Sequence, residues 1–197
     1  MINHIRGKIV DKNPARVVVE TAGGVGYDIN ISLATFSSLP QEGEDVKLLT
    51  CFIVKEDAQI LYGFAEEEER ELFKLLLTVN GIGPNTARLI LSSMSVGEVL
   101  NAIATENVKA IQSVKGIGAK TAQRVVLELK GKAKKTDWGN VAKNSSSYNN
   151  NKYEALSALI ALGFPKAGAE SALDKVIQAE GINLTVEDLV KRSLKLL

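Results

Sequence analysis

Apolar and polar positions alternate along the first third of the chain. Ile5, Ile9 and Val10 lead to an Asn13-Pro14 turn, Val17-Val18-Val19 follows, and Gly23-Gly24-Val25-Gly26 marks a second turn. Tyr27, Ile29 and Ile31 then alternate with Asp28 and Asn30, the two-residue period of a half-buried strand. Val46 to Val54 is a further apolar run, and Ile60-Leu61-Tyr62 closes the segment after Glu56-Asp57. Five short strands in so little chain predict a small OB-like β-barrel over residues 1–64.

From Glu66 the period lengthens to that of a helix. Leu72, Phe73, Leu76 and Val79 form one face that stops at Asn80-Gly81. Pro84, a residue suited to the first helical position, opens a second helix. Further helices are expected over Val96–Ala104, Val108–Val114 and Ala119 to about Lys130, giving an all-α domain at 65–131. The Ser/Asn-rich stretch that follows cannot bury enough surface to order itself, so residues 132–151 read as a flexible linker. Trp138 is an anomaly within it. Residues 152–197 read as three short helices, from Tyr153 to Leu162, from Pro165, and one capped by Thr185. A unit this small on a tether suits docking better than catalysis. The fold class is therefore α+β and multidomain.

One phrase occurs twice. Val79-Asn80-Gly81-Ile82-Gly83-Pro84-Asn85-Thr86-Ala87 returns as Val114-Lys115-Gly116-Ile117-Gly118-Ala119-Lys120-Thr121-Ala122. Each copy lies where one helical pattern stops and another starts, so the 65–131 domain reads as tandem helix-hairpin-helix. A Gly-Ile-Gly turn admits close approach to the backbone and leaves the first N–H groups of the next helix outward, where an anion can bind. The candidate phosphate-binding residues are Gly81, Ile82, Gly83 and Asn85 in the first copy, and Gly116, Ile117, Gly118, Lys120, Thr121 and Arg124 in the second. Asn85 stands where the second copy has Lys120, so the first site relies more on backbone amides. Two such sites suit a protein that holds nucleic-acid backbone without reading bases.

Charge sharpens that reading. The chain of 197 residues carries a net charge of only +1, but the distribution is uneven. Residues 1–65 hold six Lys and Arg against eight Asp and Glu. Residues 110–135 hold seven basic residues against Glu128 alone, and the second hairpin lies among them. The run Glu66–Glu69 falls in a helix's first turn, where solvation and the helix dipole account for it.

Other chemistry finds no support. Gly118-Ala119-Lys120-Thr121 resembles a nucleotide-binding loop, but the required glycines are replaced by Ala119 and Val114. Gly24-Val25-Gly26 lacks both the third glycine and the βαβ context of a dinucleotide fingerprint. His4 is the single histidine and Cys51 the single cysteine; the first reads as structural or exposed, the second as a small core residue. No spacing predicts zinc or a two-metal nuclease site, and no cofactor is expected. No apolar run reaches the length of a membrane span, and the N-terminus lacks the apolar core of a secretory signal, so a cytoplasmic location is expected.

Taken in order, the segments resemble the bacterial RuvA family of Holliday junction branch-migration proteins. The resemblance rests on Gly23-Gly24-Val25-Gly26-Tyr27, on Glu56-Asp57-Ala58-Gln59 leading to Leu61-Tyr62-Gly63-Phe64, on Asn80-Gly81-Ile82-Gly83-Pro84, and on Gly116-Ile117-Gly118 before Lys120-Thr121-Ala122. It implies a homotetramer, or two facing tetramers, that holds a four-way DNA junction open and grips each arm on its minor-groove side. Glu56 and Asp57, otherwise an acidic hairpin tip, would map to an acidic pin near the crossover. The tail would dock a RuvB-type hexameric ATPase, with a RuvC-type resolvase as a further partner, and this chain would be non-catalytic. Asn85 and Ala119 stand where some members of that family carry lysine. Two rival classes need features not found: a repair nuclease or glycosylase needs a catalytic constellation, and a single-strand-binding adaptor needs stacking aromatics, which are 5% of this chain.

Overall fold

The computed structural model describes residues 2–133, 147–180 and 184–197. Two compact units divide the chain, Met1–Thr136 and Asp137–Leu197. Most of the expected linker, and Trp138 with it, lies outside the described residues.

Five strands build the start of the first unit: β1 (His4–Asn13), β2 (Arg16–Glu20), β3 (Gly26–Ile31), β4 (Asp45–Val54) and β5 (Gln59–Phe64). They close in the order β1-β2-β3-β5-β4, with β1 also paired to β4 and only β3 and β5 parallel. This is the OB-like barrel that the alternation predicts. Ile5, Ile9, Val17, Val19, Ile29, Ile31, Leu48 and Leu61 point inward and fill it. The register slips between Ile9 and Asp11, leaving Val10 as an extra residue turned to solvent. A helix absent from the sequence reading, α1 (Leu33–Ser38), bridges β3 and β4. Ser32 caps it by accepting from the Thr35 N–H. Six residues are too few to show a helical period.

The helical half consists of α2 (Glu67–Leu77), α3 (Pro84–Ser93), α4 (Val96–Ala104), α5 (Val108–Gln112) and α6 (Ala119–Ala133). α5 is one half-turn shorter than its apolar pattern suggests, and α6 runs past Lys130. Ser95 and Glu98 close a capping box at the start of α4. Among the described residues no single helix is long and apolar enough to cross a membrane.

The second unit contains α7 (Ser147–Ala161), α8 (Lys166–Glu180) and α9 (Val186–Ser193). α7 begins inside the Ser/Asn-rich stretch, ahead of the Tyr153 start that the apolar pattern indicates. Gly163, at φ 97°, ends the following turn, and Thr185 caps α9 by accepting from the Asp188 N–H. Ala155, Leu159, Ala169, Leu173, Val176 and Leu189 form this unit's own core, while Leu197 stays exposed.

Barrel and helices in the first unit meet through polar bonds as well as apolar packing. Tyr62 and Phe64 of β5 each lie 5.0 Å from the ring of Phe73 on α2. Beside them Glu69, 5% exposed, turns into the protein instead of joining its acidic neighbours in water. Its carboxylate accepts from the Ser32 and Thr35 hydroxyls, the latter at 2.7 Å. The first-turn glutamates are therefore not all solvated; one is a structural lock. Arg70, also buried, donates to the Asn3 carbonyl and side chain and pairs with Glu67.

Burial holds the Glu69 carboxyl above the ordinary carboxylate range, with the two hydroxyls opposing the shift. The folded chain thus binds that proton more tightly than the unfolded chain does. Its stabilising effect is present below the ordinary value of about 4.3 and is lost as pH rises through the raised one. Urea midpoints measured from mildly acidic to neutral pH should therefore fall for the natural chain relative to Glu69→Gln. Parallel curves for the two proteins would contradict this placement.

Candidate nucleic-acid interface

The repeated phrase folds the same way twice. Val79 and Val114, each two residues past the end of its helix, are buried in the core, and their carbonyls accept from the Ile82 and Ile117 N–H groups, at 3.1 Å in both copies. Gly81 and Gly116 take φ values of 92° and 88°, a left-handed turn that L side chains resist. Ile82 and Ile117 are each 6% exposed and anchor the hairpin from within. The next helix opens with Ala87 donating to the Gly83 carbonyl at 2.9 Å and Ala122 to the Gly118 carbonyl at 3.0 Å. Both alanines are fully buried.

Packing thus explains Val, Ile and Ala, and backbone conformation explains the first glycine. Neither explains the second. Gly83 has φ −90° and ψ 171°, open to any residue, and a Cβ added at Gly83 or Gly118 would meet nothing within 4 Å. The bare backbone there leaves open space beside it. No side chain caps α3 from Gly83, so the amides of its first turn face that space.

The surroundings of the two hairpins differ. Lys115, Lys120 and Arg124 are exposed around the second, and Thr121 is half-buried. Lys130 is not part of that group, because it pairs with Glu106. At the first hairpin Asn85 is exposed, but its side-chain oxygen accepts from the Tyr62 hydroxyl at 3.1 Å. One turn on, Arg88 donates to the Ala15 carbonyl at 2.8 Å and to the Asn30 side chain at 3.2 Å. Sequence reading had no access to these bonds, whose partners lie 23, 73 and 58 residues apart. The second hairpin adjoins α3: a Cβ at Gly116 would lie 3.9 Å from Leu89 Cδ2.

Glu56 and Asp57 occupy the loop between β4 and β5, closed by the Lys55 N–H donating to the Ala58 carbonyl at 2.8 Å. Both are exposed at the tip of that hairpin. Cys51, on β4, is half-buried, and burial raises its thiol pKa, as befits an unreactive packing residue.

A closed barrel fused to two matched, glycine-opened hairpins defines a tandem helix-hairpin-helix protein built on an OB-like platform. Family models agree segment by segment: the RuvA N terminal domain matches residues 1–63, a SAM-like helix-hairpin-helix tandem matches 73–132, and the RuvA C-terminal domain matches 150–197. A protein of Christiangramia forsetii described as Holliday junction branch migration complex subunit RuvA is 51% identical over 195 residues, covering 99% of each chain. Proteins so described from Flavobacterium psychrophilum and Cytophaga hutchinsonii are each 50% identical, over 99% and 100% of both chains. The chain belongs to the RuvA family.

The two glycines of a hairpin should respond differently to alanine. Gly116→Ala is expected to cost about 1–2 kcal/mol from its left-handed backbone. Gly118→Ala should lose under about 1 kcal/mol, the modest preference for glycine over alanine at a helix cap. Urea denaturation of both variants checks this, and equal losses would contradict the division of roles.

Proposed function

We propose that this protein is the junction-binding subunit of a branch-migration complex, a scaffold that holds four-way DNA open and recruits a RuvB-type ATPase for recombination and repair. The observation that carries the reading is the pair of open glycine positions, Gly83 and Gly118, at hairpins of matched geometry. In each, first-turn amides and the exposed backbone hold one DNA phosphate. Gly81, Ile82, Gly83 and Asn85 form the first contact. Gly116, Ile117, Gly118, Lys120, Thr121 and Arg124 form the second, where the two cations add charge-assisted bonds. Ile82 and Ile117 contribute only their backbone, since their side chains are buried.

Glu56 and Asp57 act in the opposite sense. Carboxylates brought near phosphates repel them, and the repulsion strengthens where water is displaced. At the crossover of a junction the strands diverge and leave room for the tip; on continuous duplex it meets backbone. Selectivity for the branched form then comes from what the tip rejects, while the hairpins attract any arm.

The family resemblance supports four copies around one junction, with a second tetramer on the opposite face as an elaboration. The second unit, α7 to α9, is the docking module for the hexameric ATPase, which supplies the energy that this non-catalytic chain does not. A RuvC-type resolvase is a further partner on the same junction. The complex works in the cytoplasm, where the chromosome is.

Lys120→Ala with Arg124→Ala should weaken junction binding and flatten its salt dependence, by about 0.9 in the log–log slope for each phosphate no longer neutralised. Titration of a labelled junction at several salt concentrations measures this. An unchanged slope would remove both side chains from the phosphate site.

A further inference from the structure

The first hairpin lacks the cation of the second, and the structure shows what stands in its place. Asn85 occupies the position of Lys120, on the exposed rim of α3. Its carboxamide is not free to rotate as a surface asparagine is. The oxygen is held by the hydroxyl of Tyr62 at 3.1 Å. Tyr62 is itself immobile: it is 2% exposed, sits on β5 between Asn30 and Cys51 in the barrel wall, and stacks near Phe73. With its oxygen committed to the Tyr62 hydroxyl, the planar amide has its NH2 left as the group that can meet an anion. Arg88, one turn along α3, bonds Ala15 and Asn30 and fixes the same end of the helix.

We propose that Tyr62 is a positioning residue for DNA binding: its hydroxyl grips the Asn85 carboxamide by the oxygen and aims the NH2 at a backbone phosphate of the bound arm. A flexible lysine needs no such brace, since its ammonium presents donors in every orientation. A neutral amide does, because turned around it would present an acceptor to an anion. Tyr62 also belongs to the β4–β5 hairpin whose tip bears Glu56 and Asp57, six and five residues earlier in the chain. One element therefore holds both the repelling tip and the brace for an attracting contact. This inference rests on the hairpin–phosphate reading above.

The test is junction affinity by fluorescence anisotropy for the full chain and five variants. Tyr62→Phe keeps the ring and its packing and removes only the hydroxyl. It should weaken binding about fivefold, the worth of one ordinary hydrogen bond, with no change in salt slope. Asn85→Ala should lose a similar factor, and the double variant no more than Asn85→Ala alone, because both act through one contact. Asn85→Lys placed in the Tyr62→Phe background should restore affinity, which a general weakening of the fold would not allow. Additive losses, undiminished binding by Tyr62→Phe, or failure of the lysine to rescue would each overturn the proposal. The Lys120→Ala, Arg124→Ala variant in the same assay separates the two levels. If it binds as the natural chain does, the hairpin reading itself falls; if it binds weakly while Tyr62→Phe does not, only the role of Tyr62 falls.

Discussion

One side chain nearly out of water, Glu69, ties separate elements of the first unit to each other. Glu69 reaches from the first turn of α2 into the cap of α1, where Ser32 and Thr35 donate to its two oxygens. Burying such a group is costly unless its lone pairs are met, and it specifies one arrangement when they are. Thr35 also accepts from the Ala65 N–H, so strand β5, helix α2 and helix α1 share one polar node. Arg70 to Asn3, Arg88 to Ala15 and Asn30, and Tyr62 to Asn85 extend the seam along the barrel wall. Apolar packing alone tolerates sliding; a row of directional bonds does not. The helical hairpins are in consequence joined by directional bonds to the barrel whose β4–β5 hairpin carries the acidic tip.

That arrangement matters for the proposed function, in which attraction and repulsion belong to different elements. Phosphates would be drawn to Gly83 and Gly118, and turned away by Glu56 and Asp57. A discriminating surface needs the two held at a fixed spacing, since a tip free to swing would yield to duplex and lose its selectivity. The hairpins are alike in backbone and unlike in charge, with Lys120 at one and a braced Asn85 at the other. On the proposed reading both would give donors to an anion. They differ in how much of the contact depends on preorganised geometry and how much on net charge.

Much of this was legible in the sequence. Short apolar runs, the alternation around Ile29 and the turns between them located the five strands, and the repeated phrase located both hairpins, because its valine, isoleucine, alanine and first glycine answer local demands of core or turn. The RuvA resemblance carried the order of the domains, which the matched family models bear out. What escaped was short or non-local. Helix α1 is held by its Ser32 cap and by Glu69, 37 residues away, not by a period of its own. Glu69 itself looks like its acidic neighbours until the fold turns it inward. Asn85 reads as the weaker of two ligands, and only the barrel reveals that Tyr62 orients it. Val10 follows the apolar pattern yet faces solvent, because a bulge is invisible to alternation.

On the proposed reading, structure selectivity comes from the division between attracting hairpins and a repelling tip. A competition between a four-way junction and linear duplex of equal length, with magnesium and without ATP, measures that selectivity for the natural chain and for its Glu56→Gln, Asp57→Asn variant. The natural chain should prefer the junction strongly and leave it uncut, and the variant should keep or gain junction affinity while binding duplex nearly as well. Equal affinity of the natural chain for both DNAs, or an unchanged preference in the variant, would contradict the account.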